Sequence, residues 1–292
     1  VWFPELADDA RDARFAVASS IELVRALPGR PLRHAIFDHD GTLSTLRQGW
    51  ERIMEPMMVR AILGERIDHA DERLLARATD EVRGFIDRTT GIQTLVQMQG
   101  LVELVQRFGC VPADRVLDHV GYKALYNQAL MEMVRERTDR LASGELASDD
   151  FQIKNARALL ERLHAAGVVL HLASGTDQGD LASEAQAMGY AHLFTGGIHG
   201  AVGDVNVEAK REVMDRILRE HAGQAFAVFG DGPVEIREGR RRDAVCVGVA
   251  SDELRRFGVD QPKRRRLIRA GADIIVGDYS QLDRLLPLVG IA

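Results

Sequence analysis

Apolar residues in this chain keep two different rhythms. From about residue 43 to 150 they return every three or four positions, the spacing that lines one face of a helix. Leu46, Trp50, Ile53, Met54, Met57, Met58, Ala61 and Ile62 stripe one such helix, in which Pro56 either makes a kink or opens a new helix. Leu74, Leu75, Ala78, Val82, Phe85 and Ile86 stripe a second helix, and Leu95, Val102, Val105 and Phe108 a third. Pro112 opens a further segment that runs to about Ala142. Elsewhere short continuous apolar runs, the mark of buried strands, alternate with helical stretches. The strands are expected at 35–37, 168–173, 225–229, 245–249 and 273–276, with a short segment around Phe194. Helices are expected from a cap at Asp149 or Asp150 through His164 (closed by Gly167), then up to Gly189, over 207–222, and after the last strand.

Continuous apolar strands that alternate with helices imply a parallel sheet covered on both faces. The expected fold class is therefore α/β, a Rossmann-like parallel sheet interrupted after its first strand by an all-helical cap. The core takes residues 1–42 and 151–292 and the cap takes 43–150. Residues 1–32, ending at Pro28-Gly29-Arg30-Pro31, read as a helical extension of the core.

Charge narrows the partners. The formal net charge of -6 argues against a nucleic-acid surface, which needs a basic face. The two basic clusters, Arg240-Arg241-Arg242 and Lys263-Arg264-Arg265-Arg266, are flanked by acidic and apolar residues and read as solvated helix ends or loops. Cys110 and Cys246 are far apart and match no metal-ligand spacing, which suits reduced thiols. No apolar run approaches the roughly 20 residues of a membrane span, and the first residues lack a signal-peptide layout. The expectation is a cytoplasmic protein with no membrane or nucleic-acid partner.

Ligands of such sheets bind at the carboxyl ends of the strands. Asp38-His39-Asp40-Gly41-Thr42 follows the first strand, Ser174-Gly175-Thr176-Asp177 the second, and Gly230-Asp231-Gly232-Pro233-Val234-Glu235 the strand at 225–229. Two carboxylates one residue apart beside a buried strand repel each other unless a cation lies between them. A set of hard oxygen ligands suits Mg²⁺.

These segments, together with Lys210, resemble the four motifs of the haloacid dehalogenase-like phosphohydrolases, in the right order over roughly residues 33–280. The resemblance implies a phosphatase of a small phosphorylated metabolite. Asp38 would be the nucleophile that becomes an aspartyl-phosphate, and Asp40 the general acid and base. Mg²⁺ would be held by Asp38, Asp40 through its main-chain carbonyl, and Asp231, with Glu235 binding it or one of its waters. Ser174 and the Gly175 N–H would bind phosphate, and Lys210 would pair with both Asp38 and phosphate. The acid role requires Asp40 protonated while Asp38 stays ionised.

Two positions depart from the family's pattern: His39 stands where an apolar residue is commoner, and Glu235 where Asp is. Asp40 itself speaks against C–halogen cleavage, because dehalogenases of the superfamily lack it. His39 is expected to point away from the carboxylates by strand alternation, and His171 to be a satisfied core histidine. In the cap, Thr90, Gln93 and Gln97 can offer hydrogen bonds to a sugar or polyol phosphate, and Thr89 or Thr90 can equally cap a helix. Arg47 can meet a second anionic group or lie solvated. A phosphomutase of the β-phosphoglucomutase type and a metabolite-sensing domain without turnover are the rival readings. Phosphonate cleavage, which would need a cap lysine such as Lys123, is a weaker one.

Overall fold

A computed structural model of the chain describes residues 13–89, 92, 94–202 and 209–291, with the backbone alone at Glu51 and Ala209. Thr90 and Gln93 lie outside the described residues, as do residues 1–12.

Among the described residues eight strands form one sheet: β1 (Arg14–Phe15), β2 (Glu22–Leu23), β3 (His34–Phe37), β4 (Val169–Asp177), β5 (Ile198–Ala201), β6 (Phe226–Gly230), β7 (Val245–Val249) and β8 (Ile274–Val276). Their order is β1-β2-β8-β7-β6-β3-β4-β5. All neighbours from β8 to β5 run parallel, while β1 and β2 add an antiparallel edge beside β8. The central strands are buried along their length, as their unbroken apolar sequence requires. Ala35, Phe37, Leu170, Leu172, Ala227 and Phe229 join the main core, in which the Phe37 and Phe229 rings stack 4.5 Å apart.

Among the described residues between β3 and α5 (Ala156–Ala165) lie four α-helices: α1 (Glu51–Leu63), α2 (Glu72–Thr89), α3 (Thr94–Phe108) and α4 (His119–Ala142). They close on an apolar cluster of their own that includes Met58, Ile62, Val82, Met98, Leu101 and Val105. Burial of each such side chain contributes roughly 1.5–3 kcal/mol, so the insert has a core independent of the sheet. Met54 and Met58 of the methionine stripe are buried in it. Pro56 lies inside α1, which continues through it to Leu63. The remaining helices, α5 (Ala156–Ala165), α6 (Gln178–Ala187), α7 (Ala209–Glu220), α8 (Pro233–Arg240), α9 (Gln261–Ala270) and α10 (Leu282–Leu288), accompany the sheet.

Four expectations need correction. Residues 13–32 are not helical: they supply β1 and β2, and Glu22 on β2 pairs with Arg264 on α9. β5 was expected only as a segment near Phe194 and falls at Ile198–Ala201. The helix expected from Asp149 or Asp150 starts at Ala156, because 148–151 forms a separate short 3-10 turn in which the Asp150 carboxylate accepts the Ala147 N–H. Finally, the basic clusters are not simply solvated. Arg240 pairs with Asp273, Arg241 and Arg242 with Glu238, and Lys263 is buried against two carboxylates.

Candidate active site

Register brings the chemistry together. Phe37 lies opposite Leu172 of β4 and Phe229 of β6, so the residues just past this level, with Ser174 still inside β4, gather at the same sheet end. Asp38, Ser174 and Asp231 thus meet, and α7 delivers Lys210 beside them. All four line one pocket with Asp40, Gly175 and Thr176.

Asp38 is buried and held on both oxygens. Oδ1 accepts the His39 N–H at 2.8 Å, and Oδ2 lies 2.9 Å from Lys210 Nζ. The same ammonium lies 3.1 Å from Glu235 Oε2, while Glu235 Oε1 accepts the Gly232 N–H at 2.7 Å. Glu235 therefore caps α8 and holds Lys210. Burial would lower Lys210, but Asp38 and Glu235 outweigh it and raise it, so this lysine is a fixed cation. Burial pushes the Asp38 carboxyl well up despite Lys210, and the charges of Glu235 and Asp231 push it further.

Asp40 faces the other way electrically. Burial alone would raise it; the approach of His39, the charge of Arg47 and the Thr176 hydroxyl, which donates to Oδ2 at 3.0 Å, hold it at about 2. Two carboxylates, Glu235 and Asp231, stand near Asp38, whereas Asp40 has a cationic and hydroxyl surrounding.

His39 does not point away from the carboxylates. The N–H groups of Leu43 and Ser44 bond back to its carbonyl at 2.9 and 3.0 Å, which curls the chain and ends strand alternation. Its buried ring bonds to the Tyr190 hydroxyl at 2.8 Å through Nε2. Nδ1 stands 3.6 Å from Asp40 Oδ1 and 3.8 Å from Glu184 Oε2. His171 does behave as a core histidine, bonded to Gly196 O at 2.9 Å and to His34 at 3.2 Å.

The acidic cluster fits a divalent cation. Oxygens of Asp38, Asp231 and Glu235 lie within 4.8 Å of one another with no soft ligand among them. The cradle is tight. Gly41 has a φ of +68°, and a Cβ there would stand 2.3 Å from Asp231 Oδ2, so only glycine admits this carboxylate.

The insert supplies the pocket's opposite wall with Trp50, Met54, Ile92, Tyr126 and Leu130. Arg47 also lines it, yet it is neither solvated nor free: it grips Glu184 with Nη2 at 2.5 Å and Nε at 3.0 Å, and Asp180 lies 3.7 Å away. Gln97 spends its amide on Thr89, donating to the carbonyl and the hydroxyl at 3.1 Å each. Thr89 itself donates back to Phe85 O within α2. Lys123 reaches across from α4 to Asp177 of β4 at 2.6 Å, and Asn127 donates to the same carboxylate at 3.2 Å. Sequence reasoning passed over Thr176, Glu184 and Lys263. Thr176 sat in plain view beside Ser174, whereas the other two are defined by tertiary contacts alone.

Residues 32–241 match the family model described as haloacid dehalogenase-like hydrolase. The chain belongs to the haloacid dehalogenase-like hydrolase family. Solved structures with a similar fold include a β-phosphoglucomutase from Clostridium difficile, at 14% identity and a TM-score of 0.58 over 88% of this chain and 97% of that one. A protein from Haemophilus somnus described as a predicted phosphoglycolate phosphatase has 15% identity and a TM-score of 0.55, over 87% and 97%. One from Clostridium acetobutylicum described as a predicted phosphatase has 14% and 0.50, over 87% and 98%. At these identities the likeness concerns the fold. No curated protein sequence matches the chain. For this hydrolase, no helix among the described residues is long and apolar enough to cross a membrane.

Proposed function

We propose that this hydrolase is a Mg²⁺-dependent phosphomonoesterase that works through an aspartyl-phosphate on Asp38 and acts on a small phosphorylated metabolite. The observation that carries the reading is Asp38 on the pocket floor, its Oδ2 2.9 Å from a buried, permanently charged Lys210. A carboxylate can attack an anionic phosphoryl group only where fixed positive charge offsets the repulsion.

In the first half-reaction an Asp38 oxygen forms a bond to phosphorus as the ester P–O bond breaks, and Asp40 gives a proton to the departing oxygen. In the second, water attacks phosphorus, Asp40 takes its proton, and the Asp38–phosphorus bond breaks to release phosphate. An Asp40 held at about 2 is ready as a base. Its acid role is helped by an incoming phosphoryl group, whose negative charge raises a neighbouring carboxyl. Ser174 and Gly175 border the place for the phosphoryl oxygens. Lys210 neutralises both partners. Mg²⁺, held by Asp38, Asp231 and the Asp40 main-chain carbonyl, would supply further neutralisation of the phosphoryl oxygens. Glu235, which also pairs with Lys210 and caps α8, would bind it or orient one of its waters. The helical insert serves as the lid that excludes water and selects the leaving group. Sugar and polyol phosphates remain the first compounds to try, and the protein acts in the cytoplasm.

The test is phosphate release from a panel of phosphorylated metabolites, with Mg²⁺ and with a chelator. Release that stops on chelation supports the reading. Isomerised ester without free phosphate would replace hydrolysis by mutase chemistry, and no conversion of any kind would leave a sensing domain.

A further inference from the structure

Lys263 belongs to none of the motifs above, yet it touches the acidic cluster. It stands in the first turn of α9, where its backbone N–H donates to the capping Asp260 carboxylate at 2.7 Å. Its side chain runs inward and is buried. Nζ lies 2.9 Å from Asp231 Oδ2, 2.9 Å from Glu253 Oε1 and 3.5 Å from Ser251 Oγ. Ser251 in turn donates to Gly41 O at 2.6 Å. One ammonium thus ties together the loops that follow β3, β6 and β7. The same Asp231 oxygen is the one that faces Gly41, where a Cβ would stand 2.3 Å from it. Oδ2 is therefore enclosed by Lys263 on one side and by backbone on the other.

We propose that Lys263 sets the cation preference of the site: by holding one oxygen of Asp231 it leaves that carboxylate a single oxygen to offer, which favours Mg²⁺ over Ca²⁺. The chemistry is one of ligand number. Mg²⁺ needs six ligands in near-octahedral order and takes carboxylates through one oxygen. Ca²⁺ takes six to eight and gains from a carboxylate bound through both. The lysine also withdraws one unit of negative charge from a pocket that already holds Asp38, Asp40, Asp231 and Glu253. Lys263 is a positioning residue, acting on the cation only through Asp231. The inference rests on the reading of Asp38 and Asp231 as cation ligands.

Calorimetric titration of the purified protein with MgCl₂ and with CaCl₂ tests it without reference to turnover. In Lys263→Met the ratio of the Ca²⁺ to the Mg²⁺ dissociation constant should fall by about tenfold or more, because the freed oxygen serves Ca²⁺ alone. The double variant Lys263→Met with Glu253→Gln removes one positive and one negative charge together. It guards against a fold weakened by an unpaired carboxylate, and it should show the same shift. Glu253→Gln alone keeps the Lys263–Asp231 pair and should leave the ratio unchanged. A Lys263 variant that weakens or strengthens both cations by one common factor would overturn the selectivity role. Wild-type protein that binds neither cation would overturn this inference together with the metal reading of the site.

Discussion

The floor and the roof of the pocket are built on opposite principles. On the floor, at the ends of β3, β4 and β6 and the start of α7, the charged groups engage one another or a hydroxyl: Asp38 pairs with Lys210, Lys210 with Glu235, Asp40 with Thr176, and Asp231 with Lys263. The roof presents mainly Trp50, Met54, Ile92, Tyr126 and Leu130, with Thr94 and Gln97 from α3. Charges held against rigid strand ends need no rearrangement when a phosphoryl group arrives. An apolar wall on a separately packed helical unit can move or change without disturbing them. On the function proposed above, reaction type is written in the sheet and leaving-group choice in the insert.

The comparison breaks most sharply at Asp38. Asp38→Asn should lower Mg²⁺-dependent phosphate release on the order of a thousandfold or more while the circular dichroism spectrum stays unchanged. Residual turnover near wild type would move the nucleophile elsewhere.

The next largest effect separates the two ends of the same sheet. Away from the charged floor, His171 is buried among His34, His199 and His221, and burial first, then those imidazoles, lowers it from 6.5 to about 4. In that interval the unfolded chain binds a proton that the folded one refuses. The contribution of His171 to stability is therefore full above about pH 6.5 and is lost as the pH drops toward 4, by about 3 kcal/mol. Urea unfolding across this range should show the loss, and His171→Gln should flatten it.

Trp50→Ala sharpens the contrast of roof with floor. It should raise KM by roughly tenfold and keep kcat within about a factor of three, since it removes apolar contact without touching the reacting atoms. A loss confined to kcat would place Trp50 in the chemistry. The smallest effect is expected at the seam. Lys123→Met breaks a partly exposed ion pair between insert and core, so thermal unfolding should change by no more than about 1 kcal/mol. A larger loss would mean that the insert depends on this contact for its own fold.

Much of this organisation is legible in the chain, for reasons that also mark the limits. β6 and β7 are unbroken apolar runs, and the stripes of α2 and α3 repeat at helical spacing, so local pattern alone finds them. β5 reads Ile-His-Gly-Ala and has no such pattern; its place comes from pairing with β4. β1 and β2 are two residues each, too short for periodicity to register. At the site, Asp38, Asp40, Ser174, Lys210 and Asp231 announce themselves by position after strands or by motif order. Lys263 looks like one member of a surface run of cations, and only the packing of α9 against the β6 and β7 loops turns it inward. His39 was misread because a strand's alternation was extended into a turn.

The account stands on a covalent bond between Asp38 and a phosphoryl group. Acid quenching during turnover with Mg²⁺ and a phosphoester substrate, followed by peptide mass spectrometry, looks for it directly. The predicted result is one added phosphoryl group on the peptide that carries Asp38, absent from Asp38→Asn and absent without Mg²⁺. Turnover that proceeds with no phosphoryl group on that peptide, or with one on another residue, would contradict it.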